Sequence, residues 1–400
     1  MSVRLLPDWI ASYLKFTENT EPPKSYHTWT AISVLAGALQ RRVYMKWGHE
    51  VIYPNLYIIL VGPSGRSRKG TAMKIGKSLL QEVKGVTQTS ESITREALIR
   101  AMKSAVTNFA DGKDIKFQCA ITCISPELSV FLGQRDIKFL SNLTDWYDSS
   151  DQWTYETKGA GIDSVQGVCF NLLGATAPDW IQSMLPQEAI GGGFTSRCIF
   201  IVEEDKGQIV AKELLTEADL KIRTALKNDL ELIATITGEM KFDSYAEQAY
   251  IAWYENQEKA ISENIMPVDD PRFSGYCERR ATHVKKLSMV MSVCRNNERL
   301  ITKDDFWAAV AVMEGAEIKM AKAFGGLGRA KFSDITQIIL EYLEKNREVK
   351  RSSLLRMFYR EIDSTTLKML EEMFEQMKVV KIVRNMVENE VTYYHLGKGK

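Results

Sequence analysis

Residues 51–71, VIYPNLYIILV followed by GPSGRSRKGT, constrain the fold of this chain more than any other stretch. Val51–Val61 is dense in β-branched and aromatic residues and reads as a buried, parallel-type strand. Gly62-Pro63-Ser64-Gly65 ends it, and the periodicity then predicts a helix over Lys69–Val83. Strand, glycine loop and helix in this order form an anion cradle. The glycines let backbone N–H groups converge on a phosphate at the positive end of the helix. A lysine is needed to reach the outer phosphates, and a hydroxyl to hold Mg²⁺.

All these parts are present, but not at the usual G-x-x-x-x-G-K-[ST] spacing. Counting from Gly62 puts Arg68 at the lysine position and Lys69 at the hydroxyl. With one extra residue in the loop, Lys69 meets the phosphates, Gly70 takes the usual Ser/Thr place, and Thr71 holds Mg²⁺ from one position later, with Ser64 or Ser67 as the alternative hydroxyls. Gly62, Pro63, Ser64, Gly65, Arg68, Lys69, Gly70 and Thr71 are therefore the expected nucleotide-binding residues. A glycine turn that merely joins strand to helix is the plainer reading, but it does not call for Arg66, Arg68 and Lys69 beside a helix N-terminus.

Further strands are expected at Cys119–Ile124, Cys169–Leu173 and Cys198–Val202, with helices at Ile93–Val106 and Asp136–Tyr147 between them. Strands alternating with helices indicate an α/β core with a mostly parallel sheet. The strand at Cys119–Ile124 runs into Ser125-Pro126-Glu127. Glu127 is the expected water-activating base, and Ser125 stands beside the Mg²⁺ shell where an aspartate is usual. Ser-Pro-Glu is also a good helix start, and both roles are compatible. Thr176, after the strand at Cys169–Leu173, is the candidate γ-phosphate sensor, with Asn171 second. Gly191-Gly-Gly193-Phe-Thr-Ser-Arg197 leads into the last strand and could present Arg197 to a phosphate in its own or a neighbouring subunit. Otherwise it is a surface turn with a solvated arginine.

The flanking regions are less explicit. Residues 1–48 read as helical, with an apolar face at Trp9, Ile10, Tyr13 and Leu14, a break at Pro22-Pro23, and a second helix over His27–Arg41. From residue 211 to 328 the strand signal disappears and several helices are expected, with a break at Gly325-Gly326-Leu-Gly328. One of them carries Arg279, Arg280, His283 and Lys286 at spacings of three to four, as a lid over the nucleotide or a phosphate-contacting face. Arg280 is the residue assigned to the nucleotide. His283 has no partner at metal-ligand spacing. Trp146–Gly161 reads as an extended loop or hairpin with Lys158 at its tip, a candidate DNA contact.

Residues 329–400 form another module. Helices at Ile335–Leu343, Ser352–Tyr359 and Ser364–Met377, followed by a hairpin through Lys381 and Val391, describe a winged helix. Lys368 would meet DNA from the third helix, although Glu371, Glu372 and Glu375 make that helix acidic and suit protein contact instead.

Composition excludes little. With 52 basic and 51 acidic residues, the formal charge of +1 leaves no global basic excess for nucleic acid. The six cysteines show no C-x-x-C pair, so neither a zinc ribbon nor a disulfide scaffold is indicated, and Cys119 and Cys123 read as buried thiols. No apolar stretch reaches the length of a membrane span, so a cytoplasmic protein is expected.

Tyr53-Pro-Asn-Leu56 through Gly65, Arg68-Lys69-Gly70-Thr71, Ser125-Pro-Glu127, Gly193-Phe-Thr-Ser-Arg197 and the Arg279–Lys286 helix occur together in a familiar order. Over roughly residues 20–320 the chain resembles the P-loop ATPase and helicase family encoded by phages and mobile elements, often found beside primases. The resemblance implies a P-loop NTPase of RecA/AAA type that uses ATP and Mg²⁺ and acts as a homo-oligomeric ring in DNA replication. It also implies phosphate, water-activating and arginine-finger or sensor roles for Lys69, Glu127 and Arg197. The stretched loop and Ser125 are departures from that pattern. The expected organisation is an N-terminal helical segment (1–48), an ATPase core (49–210), a helical lid (211–328) and a winged helix (329–400). Its partners would be single- or double-stranded DNA and a separate primase or replication protein. A helicase loader using ATP as an assembly switch, or a non-hydrolysing DNA-binding scaffold, are the rival expectations.

Overall fold

Tyr57–Val61 (β1), in which every residue is buried, is an inner strand of a mostly parallel sheet. A computed structural model describes residues 3–89, 92–133, 136–157, 161–185, 189–324, 333–359, 362–385 and 390–396. The chain divides into two compact units, residues 1–325 and 326–400.

The sheet of the first unit adds Thr87–Gln88 (β2), Thr107–Asp111 (β3), Asp114–Ser125 (β4), Val168–Thr176 (β5) and Cys198–Val202 (β6). Its order is β6-β1-β5-β4-β2, all parallel, with β3 antiparallel to the first half of β4. β1, β5 and β6 are buried throughout, as strands covered on both faces must be, hence their unbroken apolar runs. The chain steps from β1 out to the far edge at β2, returns through β4 and β5, and crosses β1 to reach β6. Such a reversal opens a crevice at the carboxyl ends of the strands. Val61 stands level with Thr176 and Val202, while Ser125 stands opposite Gly174, two residues short of that level.

Helices Trp9–Phe16 and Lys24–Leu39 form as expected, the second starting at Pro23. The single strand expected over Val51–Val61 is two. Glu50–Ile52 pairs antiparallel with Val43–Trp47, so the N-terminal segment is not wholly helical. Tyr53–Leu56 then breaks the run. Pro54 has no N–H for a ladder, and fully buried Asn55 donates its side-chain amide to the carbonyls of Tyr147 and Phe170 at 3.0 and 3.1 Å. The helical region also contains strands. Gly238–Glu239 pairs with Val43–Tyr44, and Lys241–Phe242 pairs with Leu300–Ile301. Two-residue pairings are too short to leave a periodic signal. Gln152–Thr157 and Gly161–Gln166 form the expected hairpin; Lys158, expected at the tip, lies outside the described residues, as does the Gly325–Gly328 break.

The second unit has helices Ser333–Asn346, Arg351–Met357 and Ser364–Met377. Its three-stranded antiparallel sheet places Glu390–His395 between Glu348–Lys350 and Val380–Asn385, one strand more than the expected hairpin. Leu343, Leu354, Leu367, Phe374 and Tyr393 form its own core.

None of the six cysteines forms a disulfide, and all are buried. Burial pushes the Cys119 and Cys294 thiols up to about 12 and Cys169 up to about 11. No helix among the described residues is long and apolar enough to cross a membrane.

Candidate functional site

The loop from Gly62 to Arg68 leaves β1 at the crevice and enters the helix Lys69–Gln81. Gly62 is required by close approach. A Cβ there would lie 2.3 Å from the Glu203 carbonyl oxygen, 2.5 Å from Ser67 Oγ and 2.6 Å from the Tyr26 hydroxyl. Tyr26 in turn donates to the Val61 carbonyl at 2.6 Å, and the Gly62 N–H donates to the Thr176 carbonyl at 3.2 Å. The start of the loop is thereby fixed to β5, to the end of β6 and to the second helix. Gly65 has φ +70°, and Arg68, at the helix start, is left-handed at φ +56°. A non-glycine residue holds that conformation at a cost of roughly 1 kcal/mol.

From Ser64 through Gly70, no hydrogen bond within the described residues uses the backbone N–H groups, and no side chain caps the helix. Consecutive N–H donors at a helix start suit a phosphate. Lys69 Nζ folds back onto the carbonyls of Gly62 and Pro63 at 2.6 and 3.1 Å. Burial lowers its affinity for a proton, and the nearby Glu127 carboxylate opposes that shift. Arg66 pairs with Asp205, and Arg68 donates to Glu21 at 2.7 Å, where Lys206 also binds at 2.6 Å.

Ser64, Gly65, Arg68, Lys69, Gly70 and Thr71 line a cavity of about 710 Å³ together with Pro126 and Glu127 from the end of β4. Gly62 and Pro63 lie beneath it as acceptors for Lys69. The fold thus brings the expected phosphate lysine, Thr71 and Glu127 to one cavity. Lys74, Ser78 and Glu213 also line the cavity and were not expected. Lys74 sits one helical turn beyond Thr71, a spacing that could have been read. Glu213 lies in an irregular segment with no local signal.

The other candidates do not line this cavity. Ser125 is 1% exposed and donates its hydroxyl to the Glu127 carbonyl at 3.0 Å, which leaves only its lone pairs for a cation. No three His, Cys, Asp or Glu side chains converge as a metal site among the described residues. The donor set therefore fits Mg²⁺ only if Thr71 and phosphate oxygens carry most of the coordination. Thr176 is buried, and its hydroxyl donates to Ala177 O at 3.3 Å. Asn171 is internal, bonded to Leu56 N and Ser33 O. Arg197 is 5% exposed, bound to Asp148 at 2.5 and 3.2 Å and to the Gly193 carbonyl at 2.8 Å. Arg280, expected at the nucleotide, is buried and bidentate to Glu317 at 2.7 and 2.8 Å; it lines a different cavity. Its charge is committed to packing the helix Ser274–Arg295 on Lys303–Met320. His283 is structural in the same way: Tyr147 donates to Nδ1 at 2.9 Å, and Nε2–H donates to Ser196 O at 3.2 Å. Lys368 is exposed on its helix in the second unit. Compared with known proteins, the chain matches no family model and no curated sequence.

Proposed function

We propose that this chain is an ATPase that binds Mg-ATP at Gly62–Thr71 and hydrolyses it in the service of DNA strand movement, as a ring-forming replicative helicase of phage or mobile-element type. The observation that carries this reading is the shared cavity. Lys69 and the unused loop N–H groups can hold phosphates, and Glu127 faces the same space from a strand end two places along the sheet. When bound, Mg²⁺ would supply charge neutralisation between the outer phosphates, with Thr71 as its protein ligand. Glu127 would orient and deprotonate water, and Lys69 would exchange the carbonyls of Gly62 and Pro63 for phosphate oxygens. The second unit is read as a winged helix that contacts DNA or a replication partner, with a primase supplied by a separate protein.

One observation favours a second reading. Arg197 is buried in a pair with Asp148 of its own chain, so donating it to a neighbour's phosphate requires that pair to open. A helicase loader or replication initiator in which ATP acts as an assembly switch needs that opening only once per cycle.

ATP hydrolysis measured with and without single-stranded DNA separates these readings. Lys69→Ala is expected to abolish ATP binding and turnover. Glu127→Gln is expected to keep binding and lower turnover at least a hundredfold, in line with loss of a positioned base. DNA-stimulated turnover with displacement of a forked duplex identifies a motor, and stimulation without displacement identifies a switch. Unchanged turnover in Glu127→Gln removes the carboxylate from the mechanism.

A further inference from the structure

At the amino ends of the strands, opposite the loop cavity, lies a second concave surface with different chemistry. A cavity of about 500 Å³ is lined by Tyr44, Tyr53, Phe109 and Phe117 and by Arg41, Lys46, Lys116 and Asp151; Lys116 pairs with Asp111 at 2.6 Å, Lys46 with Glu239 at 3.4 Å, and the buried Arg41 with Asp151. Phe117 is 51% exposed and the neighbouring Ile115 70%, large apolar side chains presented to water beside cations. Arg41 lies 4.0 Å over the Tyr53 ring and Lys116 4.0 Å over the Tyr44 ring, so cations and rings alternate. Gln152 and Gln166, cross-strand partners in the hairpin, add carboxamides to the wall. Tyr53 and Val51 are shared with a further cavity of about 430 Å³ that holds Arg279 and Lys286. Tyr147 and the carboxylates of Glu50 and Asp148 line that second cavity as well.

We propose that this concave surface binds single-stranded DNA, with a base stacked on Phe117 at its exposed rim and the backbone phosphates taking Lys46 and Lys116 in exchange for Glu239 and Asp111. Ring faces accept a base of any sequence, and cations track a polyanion. A duplex keeps its base faces stacked on one another and cannot use the rings. The proposal deepens the reading of the chain as a DNA-dependent ATPase and rests on it for its role. Its residues are nevertheless separate from the loop, since Phe117 and Ser125 are eight positions apart on one strand, roughly 25 Å.

Anisotropy of a fluorescein-labelled oligothymidylate of about twelve nucleotides, titrated with the full chain without nucleotide, tests it. Phe117→Ala is expected to weaken binding about tenfold or more. Ile115→Glu, which places a carboxylate at the same exposed rim, is expected to do likewise. Lys46→Gln should make the slope of log affinity against log salt shallower by roughly 0.7. Lys69→Ala should bind the oligonucleotide as the unaltered chain does, so loss of the ATPase reading and loss of this one are separately visible. The proposal is overturned if the folded Phe117 and Ile115 variants both bind normally, or if a duplex of the same length binds equally well. It is also overturned if the surface ignores the oligonucleotide and takes an acidic peptide probe, which would make it a protein-docking face.

Discussion

Lys69, Thr71 and Glu127 line one cavity, the first two from the opening turn of the helix after β1 and the third from just beyond the end of β4. The pairings that occupy the arginines were not legible. Arg68 meets Glu21, Arg66 meets Asp205 and Arg280 meets Glu317, partners far away in sequence that only the fold brings together. Single residues also set the acid response. Burial lowers His283 to about 3 and His27 to about 4 from an ordinary 6.5. Both are neutral in the fold, and the unfolded chain takes up their protons first as the pH falls. The stability they contribute is complete above pH 6.5 and is lost as the pH drops toward their folded values. At pH 5 each costs about 2 kcal/mol. Urea unfolding at pH 7.5 and pH 5 should show this loss, and His283→Gln should remove about half of it. An equal loss in the variant would mean that other groups titrate.

Elements were legible where their apolar periods were long. The strands β1, β4, β5 and β6 and the helices Lys69–Gln81, Arg95–Ser104 and Ile137–Tyr147 were expected near their observed places, whereas the long helices between residues 211 and 328 were expected only as a group. The failure at residues 53–56 is instructive, because Tyr53-Pro-Asn-Leu looks like strand in composition. What interrupts the ladder is a buried polar hub. Asn55 Oδ1 accepts from Lys286 at 2.8 Å and from Ser149 at 3.1 Å, while its amide serves two carbonyls. Burial lowers the Lys286 ammonium to about 7 in this setting, so its hydrogen bonds matter. Asn55→Leu keeps the volume and strands these partners, at an expected cost of about 3–5 kcal/mol. Chemical denaturation reads that value directly. A loss below about 1 kcal/mol would show that the hub is not what holds the break.

At the scale of the molecule, the strand order could not be read in advance. β5 inserts between β1 and β4, although more than forty residues separate it from either. That insertion puts Thr176 level with Val61 and leaves Glu127 to approach Lys69 across it, so the geometry of the candidate site depends on long-range pairing. The short strands at Gly238–Glu239 and Leu300–Ile301 likewise join segments that periodicity alone had kept apart.

The six buried thiols bear on how the protein can be handled. Thiolate is the reactive form; burial shields all six sulfurs and disfavours the ionisation of Cys119, Cys169 and Cys294. The folded chain should therefore be nearly silent to a thiol-specific dye at pH 7.5, and release all six groups in denaturant. A cysteine introduced at the exposed Ile115 would be the only fast-reacting site, ready to carry a fluorophore without removing any native residue first. The dye's uptake by the remaining six would then serve as a clock for unfolding.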